Sequence, residues 1–135
     1  MEQKRQLIAS FLIPSKPIPQ CRPRFSRTGG VYYSPKVQAY RKEATLTLRE
    51  QARGNHLTRP IDYPIMAVMV FHGANPSSDL DNQIKILLDC AVDAGVLSGD
   101  NVGVVSALDA RAYPAAKGVE HTILEIWREN AQETE

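Results

Sequence analysis

The spacing of hydrophobic residues predicts four strands. They cover residues 6–13, 65–71, 102–109 and 120–127. Residues 65–71 are apolar without interruption, which is typical of a strand buried on both faces of a sheet. In the last strand, apolar residues occupy both sets of alternating positions, so the pattern leaves open which side of this strand faces the core.

Two other segments have the three- and four-residue spacing of amphipathic helices. The first begins after Ser34, a capping residue, has Pro35 at its first position, and ends before Gly54. The second begins near Leu80 and stops at Gly95, a residue that favours a left-handed conformation. The apolar face of the first helix comprises Val37, Tyr40, Ala44 and Leu48. The apolar stripe of the second comprises Leu80, Ile84, Leu87, Leu88, Ala91 and Val92, with Asp81, Lys85 and Asp89 on a second stripe beside it.

A proline-rich segment, residues 14–34, separates the first strand from the first helix, and we call it the basic arm. Its prolines and the Gly29–Gly30 pair exclude a helix and disfavour a central strand, so we expect a long ordered loop. It carries Lys16, Arg22, Arg24, Arg27, Phe25, Tyr32 and Tyr33. Arginine forks bind phosphate oxygens and aromatic rings stack on bases. The arm is therefore either a phosphate-binding surface or a solvated loop that its aromatic residues hold in place.

These elements follow one another as strand, arm, helix, strand, helix, strand, strand. We expect a single α+β domain over residues 1–135, in which a mixed sheet packs against two main helices. One strand–helix–strand unit surrounds the second helix. Residues 128–135 are polar, and we expect them to fray.

The composition is that of an ordinary globular protein, with 43% hydrophobic and 23% charged residues. No apolar run approaches the roughly 20 residues that span a bilayer, and the first residues lack the features of a signal peptide. Cys21 and Cys90 have no metal-type spacing, which indicates reduced thiols. We therefore expect a cytoplasmic protein that does not associate with membranes.

Charge is divided unevenly along the chain. Residues 1–59 contain 12 Lys and Arg against 3 Asp and Glu, whereas residues 60–135 contain 4 against 12. A basic half can bind a polyanion and an acidic half can hold cations, as one phosphate-binding surface with a metal site requires. Equally, the two halves could interleave in the fold and neutralise each other.

Candidate chemistry is concentrated around the second helix. Asp79 and Asp81 stand at its start, Lys85 lies one turn later, and Asp100 follows its end. Mg²⁺ prefers carboxylate and phosphate oxygens, so such a group of acids could hold the cation against a phosphodiester. The same residues also have a structural interpretation. Asp79 could be a helix cap, Asp81 a first-turn acid, and Asp81 with Lys85 an ordinary i,i+4 pair.

Two blocks of sequence then resemble a known family. One is Pro17-Ile-Pro-Gln-Cys-Arg-Pro-Arg-Phe-Ser-Arg through Gly29-Gly-Val-Tyr-Tyr-Ser-Pro-Lys36. The other is Asp79-Leu-Asp-Asn-Gln-Ile-Lys85, followed by Asp89, Asp93-Ala-Gly-Val-Leu97 and Asp100. In this order and spacing they resemble the RusA-type Holliday junction resolvases of bacteria and their prophages.

The resemblance implies a homodimeric endonuclease, dependent on Mg²⁺ or on Mn²⁺ in its place, that nicks two opposed strands of a four-way DNA junction. The catalytic, metal-binding carboxylates would be Asp79, Asp81 and Asp100, and the essential lysine would be Lys85. The DNA backbone would be held by Lys16, Arg22, Arg24, Arg27 and Lys36.

Two positions depart from the family's pattern. The family's adjacent acids read Gly99–Asp100 here, and a shift of one residue would put Asn101 in the third acid position. The loop at residues 73–78 has no positive charge, whereas relatives often have basic residues there, so phosphate binding would depend more on the basic arm. Two other functions remain open: a junction-binding protein that has lost its metal site, and a small structural domain whose acids only cap and solvate a helix.

Overall fold

The computed structural model describes residues 4–20 and 24–129 of the chain. The elements are β1 (Arg5–Ile13), β2 (Arg24–Phe25), β3 (Val31–Tyr32), α1 (Pro35–Gly54), β4 (Ile65–His72), α2 (Leu80–Asp93), β5 (Val105–Tyr113) and β6 (His121–Glu129). The four long strands and both helices were predicted from the sequence. The two-residue strands β2 and β3 add a small hairpin within the basic arm.

Four strands form one mixed sheet in the order β1-β6-β4-β5, and β2 pairs with β3 separately. β4 and β5 are parallel, because α2 carries the chain from the end of one to the start of the other. β6 is antiparallel to both β1 and β4. One small domain with a mixed sheet and two helices confirms the predicted α+β class.

The core lies between the helices and one face of the sheet. Its centre consists of three buried rows that cross β1, β6 and β4: Ala9–Ile126–Ala67, Phe11–Leu124–Met69 and Ile13–Thr122–Phe71. Each large apolar side chain buried in this way contributes about 1.5–3 kcal/mol. On the other face, Met66, Val68 and Val70 are only half-buried. The prediction that β4 is buried on both faces is therefore wrong, because both helices pack against the same side.

Side-chain hydrogen bonds fix α1 at both ends. Ser34 Oγ accepts a hydrogen bond from the Val37 N–H at 3.4 Å, which confirms the predicted cap. Next to the other end, the amides of Gln51 and Asn55 reach the free edge of β1. Each amide donates to the carbonyl and accepts from the N–H of one strand residue, at 2.7–3.1 Å. An open strand edge can pair with another chain, and these two amides occupy it.

α2 is followed by Gly95 with a φ of 78°, as predicted for its stop. Its apolar stripe differs from the prediction, because Leu80 is 40% exposed while Gln83 is buried. Gln83 is accommodated there because its Nε2 donates to Ser78 Oγ at 3.2 Å. The buried residues of α2 are Gln83, Ile86, Leu87, Cys90 and Ala91. No helix in the described part of the chain is long and apolar enough to cross a membrane.

The last two strands begin or end later than the sequence predicted. β5 starts at Val105 because a turn built on Asn101 holds the preceding residues. The Asn101 side chain accepts from the Gly103 N–H at 2.9 Å, and its carbonyl accepts from the Val105 N–H at 2.8 Å. β6 extends to Glu129, which pairs with Arg5 of β1. The tail expected to fray therefore begins no earlier than residue 130, and residues 130–135 lie outside the described residues.

Candidate active site

A compact turn carries the chain from β4 to α2. Gly73 has a φ of 88°, and a Cβ at this position would lie 2.4 Å from Glu120 Cγ, so only glycine fits. Asn75 Oδ1 then accepts hydrogen bonds from both the backbone N–H and the hydroxyl of Ser77. These contacts fix the direction from which Asp79 enters the helix.

Asp79 occupies the N-cap position of α2, but its side chain does not cap the helix. Its backbone is extended, with φ −81° and ψ 136°, and its carbonyl accepts from the N–H groups of Asn82 and Gln83. Its carboxylate makes no capping hydrogen bond. A capping aspartate contributes about 1 kcal/mol, and Asp79 does not make that contribution. Its carboxylate is left free, which argues against the interpretation of this residue as a structural cap.

Asp81 and Lys85 are both exposed and lie one turn apart on α2. The described residues form three ion pairs within 4.0 Å, and neither Asp81 nor Lys85 takes part in any of them. The expected i,i+4 pair is therefore not formed. Two carboxylates and an ammonium group within the first two turns of one helix thus have no ion-pair partner among residues 4–20 and 24–129.

Asp100 lies in the loop after α2, in a pocket beside the last turns of that helix with several other charged groups. This pocket, which we call the carboxylate pocket, is lined by Tyr33, Arg41, Asp89, Val92, Asp93 and Asp100. Burial raises the pKa of Asp89, Arg41 opposes the rise, and the charge of Asp100 adds to it. The charge of Asp100 thus repels the Asp89 carboxylate, and a cation placed between the two would relieve the repulsion.

The three predicted metal ligands are not gathered into one group. Among residues 4–20 and 24–129, no three His, Cys, Asp or Glu side chains form a cluster that could hold a metal ion. Asp79 and Asp81 stand at the start of α2, whereas Asp100 shares the carboxylate pocket with Asp89. The assignment of these three acids as metal ligands therefore stays a prediction. So does the choice of Asp100 over Asn101, whose amide oxygen accepts a backbone hydrogen bond in the turn before β5.

The basic arm is attached to α2. The Gln20 N–H donates to the Asn82 carbonyl at 3.0 Å, and the Gln20 side chain donates to the Tyr33 hydroxyl at 3.4 Å. Arg41 lies over the Tyr33 ring, 5.4 Å from its centroid, and pairs with Asp93 at 3.3 Å. The positively charged part of the sequence thus borders the acidic helix, and where it is described it forms no ion pair with the acids at the start of that helix.

Three of the residues predicted to bind DNA are described with their side chains, and all three are exposed to solvent. Lys16, Arg27 and Lys36 are exposed. Arg24 belongs to β2, and Arg22 falls outside the described residues. Their assignment to the DNA backbone stays a prediction.

The β2–β3 hairpin presents aromatic rings beside a positive charge. Phe25 is 76% exposed and Tyr32 is 43% exposed. Arg27 lies in the turn between them, which is closed by a hydrogen bond from the Ser26 N–H to the Gly30 carbonyl. Exposed rings next to a cation are suited to stacking on unpaired bases.

Two cations beside the acids were not singled out from the sequence. Arg41 of α1 lines the carboxylate pocket. Lys117 lies between β5 and β6 and shares a cleft with Lys16. No local pattern marks either residue, because their neighbours come from distant parts of the chain.

Comparison with known families agrees with the resemblance of the two sequence blocks. The model of the endodeoxyribonuclease RusA family matches residues 14–123, which include the basic arm, both helices and all three predicted metal ligands. A search of curated proteins finds no match. Because the match covers most of the sequence, the chain belongs to the RusA family of endodeoxyribonucleases and is a nuclease.

Proposed function

We propose that this nuclease resolves four-way DNA junctions by nicking two opposed strands, with a divalent cation held at the start of α2. The observation that carries the proposal is the free carboxylate of Asp79. It stands at a cap position and makes no capping bond, next to Asp81, which forms no ion pair within the described part of the chain. Carboxylates at a helix start that make neither a capping bond nor an ion pair are available to a ligand.

The donor set fits Mg²⁺, with Mn²⁺ as a substitute, because hard cations bind carboxylate oxygens. Asp79 and Asp81 would hold the cation, and Asp100 would add the third carboxylate from the carboxylate pocket. When bound, the cation would activate water and neutralise charge on the phosphate.

Lys85 would contact the scissile phosphate. Its ammonium group has no ion-pair partner in the described part of the chain. It forms no pair with Asp81 and is therefore available to a phosphate. A fixed positive charge beside a phosphate stabilises the negative charge that develops there during hydrolysis. Lys85 also lowers the pKa of Asp89, which indicates that its field reaches the carboxylate pocket.

The basic arm would hold the DNA backbone. We assign the phosphate contacts to Lys16, Arg22, Arg24 and Arg27 of the arm and to Lys36 at the start of α1. Their effect should depend on salt, because each phosphate contact releases counterions. The exposed rings of Phe25 and Tyr32 would stack on bases that are unpaired at the branch point.

Paired nicks require two active sites, and we propose a homodimer in which a second copy covers the free face of the sheet. This face carries Leu7 and Leu12, which are 44% and 47% exposed, beside the half-buried Met66, Val70 and Trp127. A closed two-fold pair matches the symmetry of a four-way junction.

In sedimentation, Leu12→Glu should give monomers that make unpaired nicks. Leu46→Glu, at an apolar position of α1 that is 51% exposed, should leave the dimer intact. Wild-type monomers would contradict this part of the proposal.

The function is tested with a synthetic four-way junction and a linear duplex of the same sequence. With Mg²⁺, the wild type should nick the junction, leave the duplex intact and lose activity in EDTA. Asp81→Asn should bind the junction as the wild type does but cut it at least about 1,000-fold more slowly. Junction binding without cutting by either protein would instead support a binding protein that has lost its metal site. The absence of salt-sensitive binding would support a structural domain.

A further inference from the structure

The uncharged loop before Asp79 is flanked by two lysines from distant parts of the chain. Lys16 follows β1, and Lys117 lies between β5 and β6. Both line one cleft with residues 73–76, Pro114, Ala115 and Glu120, and we call it the lysine cleft. The positive charge that the sequence lacks in residues 73–78 is therefore supplied around them by the fold.

Glu120 also belongs to the lysine cleft, and its single negative charge leaves the two lysines in excess. Its Oε1 accepts a hydrogen bond from the Gly118 N–H at 2.7 Å, and its side chain packs against the Cα of Gly73. The bond from Gly118 is the main cause of a lowered pKa at Glu120, and the two lysines lower it further. Glu120 thus holds the turn that carries Lys117 against the loop. Neither Lys16 nor Lys117 forms an ion pair within 4.0 Å of its ammonium group, as far as the structure describes the chain.

The lysine cleft adjoins the start of α2. Its floor, residues 73–76, continues through Ser77 and Ser78 directly into Asp79. A DNA strand is a row of phosphates spaced about 3.4 Å apart along the helix axis. A strand that offers one phosphate to Asp79 and Asp81 can therefore continue over this loop and offer the neighbouring phosphates to the lysines.

We propose that the lysine cleft binds backbone phosphates of the strand that is cut, on one side of the scissile phosphate, with Lys117 as a DNA contact from the C-terminal part of the chain. This inference rests on the proposed function, because it takes the acids at the start of α2 as the place of cleavage. It assigns Lys117 a role and gives Lys16 a partner. Two ammonium groups across one loop bind consecutive phosphates without reading the bases.

The test compares Lys117→Ala and Lys16→Ala with a matched control, Lys42→Ala. Lys42 is an exposed lysine of α1 that lies near Asp93, toward the other end of α2. Junction affinity is measured over a series of salt concentrations. Each cleft variant should bind roughly 3- to 10-fold more weakly at moderate salt, with the slope of log affinity against log salt reduced by about 1. Lys42→Ala should leave both the affinity and the slope at their wild-type values.

Nicking activity and melting temperature, measured on the same variants, show whether weaker binding has another cause than the lost phosphate contact. At saturating protein, Lys42→Ala should nick at the wild-type rate, and half-maximal nicking should require roughly 3- to 10-fold more protein for Lys117→Ala. Its melting temperature should match that of Lys42→Ala, which excludes misfolding as the cause of weaker binding. If Lys117→Ala keeps the wild-type salt slope while the wild type cuts junctions, the inference is wrong and the proposed function stands. If the wild type binds junctions but does not cut them, the proposed function fails, and the slopes still report whether the cleft binds DNA.

Discussion

Both helices pack on the same face of the sheet, but their polar residues are used differently. In α1, the Ser34 hydroxyl caps the helix start, and the amides of Gln51 and Asn55 complete the edge of β1. In α2, the side chain of Asp79 occupies the same cap position as Ser34 and makes no capping bond, and Asp81 has no partner among the described residues. The polar residues of α1 stabilise the fold, whereas those at the start of α2 are left available.

This difference separates structural from functional residues without any knowledge of a relative. A polar group at a helix start normally contributes about 1 kcal/mol through its cap, and a protein rarely forgoes that contribution without another use for the group. Substitutions of Ser34, Gln51 or Asn55 should therefore change stability and spare activity. Substitutions of charged residues at the start of α2 should lower the nicking rate and leave stability nearly unchanged.

Outside the acids themselves, the largest expected effect is on catalysis, at Lys85. Lys85→Gln should slow nicking by about 100- to 1,000-fold, because a charge that stabilises the transition state is lost. Its unfolding free energy should change by less than about 0.5 kcal/mol, because no ion pair is broken. Single-turnover nicking and urea unfolding check the two halves of this prediction. Arg53→Gln, in the last turn of α1, is the matched control and should nick as the wild type does.

Tyr40 tests the structural character of α1 through pH. Burial is the main cause that raises the pKa of Tyr40 from 10.0 to about 12. A group whose pKa is higher in the folded protein stabilises it fully below the unfolded value and loses this effect as pH rises through the folded value. The unfolding free energy should therefore fall by about 2–3 kcal/mol as pH rises from about 10 to about 12.

Urea unfolding at pH 9 and pH 11.5 measures this loss. Tyr40→Phe should remove most of the difference between the two pH values, whereas Tyr32→Phe, at an exposed position of the basic arm, should retain it. An equal loss of stability in wild type and Tyr40→Phe would mean that other groups cause the alkaline destabilisation.

The smallest expected effect is at the cap of α1. Ser34→Ala should lower the unfolding free energy by about 1 kcal/mol, because the Val37 N–H loses its acceptor. Ser34→Asp should restore most of that stability, since aspartate also caps. Both variants should nick junctions at the wild-type rate at a temperature well below melting. A loss of nicking in Ser34→Ala without a loss of stability would break the contrast between the two helices.

Local signals in the sequence predicted the elements, and long-range contacts decided the rest. Ser34–Pro35 and Gly95 marked helix ends correctly because caps and positive φ depend on a few neighbouring residues. The start of β5 was misplaced because the turn on Asn101 forms through its own side chain in an otherwise apolar stretch. The burial of Gln83 could not be foreseen, because it depends on the partner that Ser78 provides.

The candidate site divides in the same way. The order of acids and lysine along α2 follows from helical spacing, so Asp79, Asp81 and Lys85 could be named from the sequence. The surroundings of Asp100 could not, because the carboxylate pocket combines α2 with Arg41 of α1 and Tyr33 of the basic arm. The position of Lys117 depends on how the chain between β5 and β6 packs against Gly73.

The central claim is that the carboxylates at the start of α2 serve catalysis and not the fold, and Asp79→Ala, which removes any capping group, tests it most directly. Nicking rate and unfolding free energy should be measured on the same preparation, beside Ser34→Ala. We expect Asp79→Ala to nick at least about 1,000-fold more slowly and to stay within about 0.5 kcal/mol of wild-type stability. A variant that nicks normally but is about 1 kcal/mol less stable would identify Asp79 as a helix cap and contradict the account.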